Sequence, residues 1–320
     1  MKFIGTKSEI KEIASKYRLK VKGVKRIRNG MINSSFEIVT DNGKKYVLRV
    51  YYKNGRTRKQ IVTELDIIDY FMKAGIPVPK IKKNINGKLL TYFYDTKNKT
   101  RWKTILIDFV YGRPLSPKDY LFISTCAEYQ SKMHRLTIDY NNSRNIDSSF
   151  KDIVRWMKDE HKNVIKNLSN KIVLEYSKIV TDILLQLDTV DNKIKFLAAG
   201  YVHLDYDSTN IIVDNTSIRG IIDFDDLSYQ PLILDSAFSL WWWLFFNKSS
   251  YIKKILRLYI KGYERNRKIT NIEKQLLPTF IRMRNAILAG LLFINSKKKP
   301  DLKSFRKAIE FDSVLRGLKI

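Results

Sequence analysis

The sequence is short of cysteine, histidine, acidic residues and long apolar runs, and each shortage narrows what the chain can be. A single cysteine, Cys126, in 320 residues excludes an intramolecular disulfide and suits a reducing compartment. With only three histidines beside it, the chain has no paired Cys/His metal ligands. The most apolar run, Ala237 to Phe246, is about half as long as a membrane helix requires. The opening Met-Lys-Phe-Ile-Gly-Thr-Lys lacks the apolar segment of a signal peptide. A cytoplasmic protein with no membrane insertion is expected. Internal repeats, low-complexity tracts and a nucleophile elbow are also missing.

Acidic residues number 32 against 60 Lys and Arg, a formal net charge of +28. Such a balance attracts nucleic acid, an anionic membrane or an anionic substrate. Here the basic residues are spread along the chain, and the one tight run is Lys297-Lys298-Lys299. No RNA-recognition or zinc-finger signature accompanies them. Lys, Ile, Asn and Tyr are abundant together, as in proteins from AT-rich genes, so the charge is read as compositional and nucleic acid is not expected as a partner. A hydrophobic content of 44% indicates a folded protein with room for one large domain or two lobes.

The first third reads as a small α+β unit. Residues 7 to 19 have helical spacing, with Ile10, Ile13, Ala14 and Tyr17 on one face. Val24 to Ile27 and Ser35 to Val39 read as strands around the segment from Arg28 to Ser34, which holds Gly30. The Asp41-Asn42-Gly43-Lys44 turn leads into a third strand, Lys45 to Tyr51. Alternation places Val47, Arg49 and Tyr51 on one face of that strand. A helix follows from about Thr57, its N-cap, to Ala74, where Gly75 and Pro77 end it. Glu64 flanks its buried seam of Ile61, Leu65, Ile68 and Met72. Strands at 88–94 and 102–109 bring the sheet to about five. A cation on strand three and a carboxylate on the helix are the layout of a kinase N-lobe, in which the cation meets nucleotide phosphates. After the fifth strand, Asp108-Phe109-Val110-Tyr111-Gly112-Arg113-Pro114 suits a crossover between lobes, with main-chain groups near Asp108 and Val110 available to adenine.

From about Pro117 the pattern is helical: 121–135, 150–168 and 172–187, with a loop over 141–149, and later 252–263, 271–293 and 302–315. His134 ends its helix, where a histidine usually caps or packs. Asp159, Glu160, Asp182 and Asp188 are candidates for an acidic wall, although exposed helix charges are the simpler reading. Three consecutive tryptophans, 241–243, point three ways around a helix, so at most two can line a pocket.

Between these helices lies His203-Leu204-Asp205-Tyr206-Asp207-Ser208-Thr209-Asn210. Ile211-Ile212-Val213 reads as a short strand, Asp214 to Ser217 as a turn and Ile218 to Ile222 as the return strand. The hairpin would gather Asp205, Asn210 and Asp223 at one end, and two carboxylates with an amide are what holds magnesium beside a hydroxyl nucleophile.

These residues resemble the aminoglycoside phosphotransferase/choline kinase/homoserine kinase superfamily, small-molecule relatives of protein kinases. The resemblance rests on His-x-Asp-x4-Asn at 203–210, Ile-Asp-Phe-Asp at 222–225, Asp235, Tyr-Val-Leu-Arg at 46–49, Glu64, Gly-Ile-Pro-Val-Pro at 75–79 and Phe-Val-Tyr-Gly-Arg at 109–113. It implies a bilobal α+β, protein-kinase-like fold. Residues 1–111 would form the nucleotide-binding N-lobe, an antiparallel sheet with one key helix. Residues 112–320 would form a mostly helical C-lobe with the catalytic hairpin. It further implies an ATP- and Mg2+-dependent transfer of the γ-phosphate to a hydroxyl of a small molecule. Asp205 would orient and deprotonate the acceptor, and Asn210 and Asp223 would bind Mg2+. Arg49 would stand where lysine is usual, paired with Glu64, and Asn33, Ser34, Val47, Asp108 and Val110 would complete the nucleotide site. Asp235 would bond the catalytic loop from beneath, and His203 would be architectural. Leu204 departs from the usual glycine, which we read as a change in loop packing.

A protein-directed kinase of the same superfamily and a kinase-fold binding or regulatory protein are the alternatives. Three intact catalytic-site residues weigh against a pure binder. The substrate is not legible, but residues 231–320 carry 19 Lys and Arg against six Asp and Glu, which suits a neutral or anionic acceptor better than a polycation.

Overall fold

The computed structural model describes residues 2–27, 32–138, 140, 150–167, 171–295 and 301–318. Gly30 in its turn, the loop expected over 141–149 and the Lys297 to Lys299 run lie outside them. The chain forms two compact units, Met1–Arg113 with Ile212–Ile222, and Pro114–Ile211 with Asp223–Ile320.

In the first unit, α1 (Lys7–Ser15) begins at a capping box between Thr6 and Glu9. It stops short of residue 19 because Arg18 turns left-handed (φ 57°). β1 (Val21–Ile27), β2 (Ser34–Thr40) and β3 (Lys45–Val50) form an antiparallel meander. Then come α2 (Arg58–Lys73), β4 (Ile81–Lys82), β5 (Thr91–Asp95) and β6 (Thr100–Asp108). The sheet runs β1-β2-β3-β6-β4, with β5 paired to β6. Its sixth strand is β4, two residues that pair with Ile107 and Leu106 of β6. A strand so short, just beyond Pro77 and Pro79, leaves no alternation to read.

Each face of the sheet packs its own apolar layer. Leu48 and Val50 join Phe36, Ile38 and Trp102 with Ile10 and Ile13 of α1. Tyr51 and Ile105 pack with Ile61 and Leu65 of α2. Strand alternation therefore turns Arg49 to the face that α2 covers. Thr57 and Gln60 cap α2, and Gly75 (φ 76°) ends it. Gly112 (φ 145°) has no room for a side chain, since a Cβ there would lie 2.6 Å from the Val213 carbonyl oxygen. The two-residue β7 (Arg113–Pro114) follows.

The second unit continues with α3 (Ile123–Ile138), α4 (Phe150–Asn167) and α5 (Lys171–Ile194), then β8 (Ala199–Val202). The chain returns to the first unit for the hairpin of β9 (Ile211–Val213) and β10 (Ile218–Ile221), and back in the second unit β11 (Ser228–Pro231) pairs antiparallel with β8. This β8–β11 ribbon was not expected, because Ala-Gly-Tyr-Val and Ser-Tyr-Gln-Pro carry neither alternation nor a shared turn. By setting Val202 opposite Ser228 it brings the segments after 202 and before 228 alongside each other. α6 (Leu232–Phe245), α7 (Ile252–Tyr263), α8 (Asn271–Asn295) and α9 (Leu302–Arg316) complete the unit.

Two features fix the helices. Arg282 of α8 reaches Asp312 of α9 with two hydrogen bonds (2.8 and 3.1 Å) and Asp182 of α5 with a third (2.7 Å). Asp182 is thus spent on tying helices together, while Asp159 and Asp188 are exposed. Glu160 accepts from Trp156 (3.1 Å), and burial pushes its carboxyl above the ordinary range. Gly262 lets α7 touch α3, since a Cβ there would stand 2.0 Å from the Ser124 carbonyl oxygen. Gly262→Ala is expected to wedge the pair apart at a cost of about 1–3 kcal/mol. The urea midpoint should fall with its slope unchanged; an unaltered midpoint would contradict this packing.

Candidate active site

The loop between β8 and β9 carries the site. His203 is buried, its ring against Phe224 (4.5 Å) and Tyr206 (5.8 Å), and its Nδ1 accepts from the Asp205 amide (3.3 Å). Leu204 is left-handed (φ 60°) and buried, a conformation that disfavours any side chain and explains why glycine suits this position. Asp205 follows, its carboxylate held at both oxygens. Oδ2 accepts from Asn210 Nδ2 (2.9 Å) and Oδ1 from Arg284 Nη2 (3.0 Å). The Asn210 amide nitrogen also donates to the Asp205 carbonyl (2.9 Å). With its nitrogen committed twice, Asn210 keeps Oδ1 as a hard oxygen donor, which fits magnesium. Asp223 sits at a second left-handed position (φ 66°), at the start of a short 3-10 turn. Such strain in a non-glycine residue costs about 1–3 kcal/mol and persists only where the surroundings enforce it. Among the described residues no three His, Cys, Asp or Glu side chains form a metal cluster on their own. A set of one amide and one carboxylate suits an ion that takes few protein ligands.

Carboxylates crowd this loop. Burial, then the charge of Asp205, raises the Asp207 carboxyl, while Thr209 and Arg284 oppose the shift. Asp226 is pushed up to about 6 by desolvation and by Asp205, again with Arg284 opposing. Arg284 is therefore the cation that these acidic groups face. It is 8% exposed and lies over the Phe238 ring (4.8 Å).

Below the loop, Asp235 at the start of α6 makes the bond expected of it, accepting from the Leu204 amide (2.6 Å). Its other oxygen accepts from Gln130 Nε2 (2.6 Å) and His134 Nε2 (2.8 Å), both on α3. Burial alone would raise its carboxyl, but His134, His203 and Gln130 outweigh that and hold it below the ordinary value. An ionised Asp235 makes Nε2 the protonated nitrogen of His134. Nδ1 is hydrogen-bonded with the Tyr263 hydroxyl (2.8 Å), a buried phenol pushed up to about 12. Of the three tryptophans, Trp241 and Trp243 are core, and Trp242 donates to Ser208 on the loop.

The nucleotide residues expected in the first unit fall around β3 and β6. Glu64 is fully buried, accepts from Tyr51 (3.0 Å) and has Arg56 at 3.7 Å. Arg49 is 9% exposed, opposite Ile105 on β6 and Ser35 on β2. Asn33 Oδ1 accepts from the Tyr52 amide (2.7 Å), and the Ser34 hydroxyl donates to the Phe3 carbonyl (2.6 Å), so both brace the ends of β2 and β3. Val47 pairs with Ile107, the Asp108 amide donates to Lys80 (2.9 Å), and Val110 packs over Gly220, where a Cβ would come within 2.7 Å.

Arg284, Gln130, Tyr51 and Arg56 escaped the sequence reading. Arg284 sits in Arg-Met-Arg-Asn on a basic helix, 79 residues beyond Asp205, and nothing local marks it. The sequence marks His134 only as a capping or packing residue; its tie to Asp235 spans 101 positions.

Residues 23–269 match the model of a family described as the phosphotransferase enzyme family. The chain is 23% identical over 299 residues to the amicoumacin kinase of Bacillus subtilis (strain 168), covering 87% of this chain and 84% of that one. It is 24% identical over 270 residues to the homoserine kinase of Zymomonas mobilis subsp. mobilis, covering 84% and 79%. The solved structure of an amicoumacin kinase in complex with AMP-PNP and Ca2+ superposes with a TM-score of 0.76 at 18% identity, over 97% of this chain and 93% of that one. The protein-kinase-like small-molecule kinase fold expected from the motifs is the fold found. Among the described residues no helix is long and apolar enough to cross a membrane.

Proposed function

The chain belongs to the phosphotransferase enzyme family, and from that premise we propose that it transfers the γ-phosphate of ATP, with Mg2+, to a hydroxyl of a small molecule. One observation carries the reading: Asp205 is held by Asn210 and Arg284, and Asn210 keeps its carbonyl oxygen for a metal. Asp205 accepts the acceptor's hydroxyl proton and aims its oxygen, since phosphoryl transfer asks the protein mainly for alignment and charge balance. Asn210 and Asp223 hold Mg2+, which neutralises phosphate charge when bound. In the first unit, Arg49 meets phosphate oxygens as a fork where lysine would offer a point charge, and buried Glu64 with Tyr51 sets the register of α2 against β3. Val47 and the main chain near Asp108 and Val110 would take the adenine, with Asn33 and Ser34 completing the nucleotide site. The names of the relatives, an amicoumacin kinase and a homoserine kinase, support a small hydroxylated acceptor.

The test is ATP turnover with Mg2+ across a panel of hydroxylated metabolites and antibiotics, beside an added-protein control. Product phosphate on a small molecule supports the reading, and phosphate on protein alone overturns it. Asp223→Asn is expected to raise the Mg2+ concentration for half-maximal turnover at least tenfold, because the one carboxylate of the amide–carboxylate pair proposed to hold the metal is lost. An unchanged Mg2+ requirement would remove Asp223 from the metal site.

A further inference from the structure

We propose that Arg284 is a positioning residue for phosphoryl transfer, fixing the plane of the Asp205 carboxylate from α8 while Asn210 fixes it from the loop. The inference rests on the phosphotransfer reading above and adds a residue that no motif contains.

The geometry is specific. Asn210 binds one oxygen of Asp205 and Arg284 the other, at 2.9 and 3.0 Å, so rotation of the carboxylate breaks at least one bond. Without Arg284, Asp205 would be tied at one oxygen only, on a side chain that is 34% exposed. Arg284 is itself immobilised: it is 9% exposed at the side chain and lies 4.8 Å over Phe238 of α6. A charge so buried is costly unless it is paired, and among the described residues Asp205 is its one hydrogen-bond and ion-pair partner. Its Nε is buried without a partner, so the guanidinium is not held by a wider network that would explain its place. The neighbouring Arg282 makes the contrast clear, since it bonds Asp312, Asp182 and Gln186 and serves only to join helices. Arg284 points its charge at the base instead. Its electrostatic reach to Asp207 and Asp226 places it among the carboxylates of the loop and outside the helix core.

Misplacement of a reacting group by about 1 Å can cost about 100-fold in rate. Arg284→Ala is therefore expected to lower kcat about 30- to 100-fold with acceptor KM changed less than threefold. Arg284→Lys, which keeps charge but not the fork, should recover part of that loss. Methylguanidinium added to the Ala variant should restore turnover in a saturable way, which a merely structural role would not allow. The probes are MgATP with L-homoserine, and MgATP alone for transfer to water, each compared with Asp205→Asn. Thermal midpoints of all variants report folding. Unchanged kcat in a folded Arg284→Ala protein overturns the inference and leaves the phosphotransfer reading intact. So does a loss that methylguanidinium and lysine both fail to restore. If the wild-type protein shows no Asp205-dependent ATP consumption with either probe or with any acceptor of the panel above, the phosphotransfer reading falls, and this inference falls with it.

Discussion

Asp205→Asn is expected to cut phosphoryl transfer to a trace while the protein stays folded. The substitution keeps the size and shape of the side chain but removes its capacity to take a proton, and a positioned base contributes about 10²–10⁴ in rate. Turnover is expected to fall at least about 10³-fold. The amide oxygen can still accept from Arg284 if it takes the Oδ1 position, so one tie to α8 survives. What is lost is the ionic part of a partly exposed pair and the bond from Asn210 Nδ2, which would face the new amide nitrogen, together about 1–3 kcal/mol after solvent screening. Single-turnover ATP consumption with circular dichroism decides it: a folded variant that turns over at the wild-type rate would end Asp205's candidacy as the base.

Asp235→Ala has the largest expected effect on stability. The buried carboxylate takes hydrogen bonds from the Leu204 amide, Gln130 and His134, and its removal strands three donors in a dry interior. Breaking a buried charged network by deleting one member costs about 3–5 kcal/mol. The loss reaches the chemistry as well. The bond to its amide helps to hold Leu204 left-handed, so without Asp235 the loop is expected to relax and Asp205 to move with it. Urea unfolding and MgATP turnover should both fall in the variant; wild-type stability in Asp235→Ala would show that the network carries little.

The same carboxyl gives a signed pH dependence. It titrates lower in the folded protein than in the unfolded chain. Its contribution is therefore complete at neutral pH. It begins to decline as pH falls past the ordinary value of 3.8, and is gone below the folded-state value. In Asp235→Asn that part of the acid decline should be missing from stability measured against pH.

Much of this architecture was legible because it is local. Thr57 announces α2, Asp41 to Lys44 announces the β2–β3 turn, and alternation along β3 places Arg49 on one face before any neighbour is known. The spacing from Asp205 to Asn210 and on to Asp223 spans one loop and one hairpin, short enough for chain geometry to dictate. β8 and β11 were invisible for the opposite reason. Each is four residues long, and they are strands only because they found each other 26 positions apart.

The sequence by itself determined which residues are candidates for the site, since Asp205, Asn210 and Asp223 are close in the chain and only a few backbone arrangements can join them. Tertiary structure alone decided what holds that chemistry still. Arg284 reaches Asp205 across 79 residues, and His134 and Gln130 reach Asp235 across 101 and 105. A helix shows which of its faces is apolar, but a single arginine on that helix looks the same whether it bonds water, a neighbouring helix or Asp205. Its partner is set by packing, which no local pattern encodes.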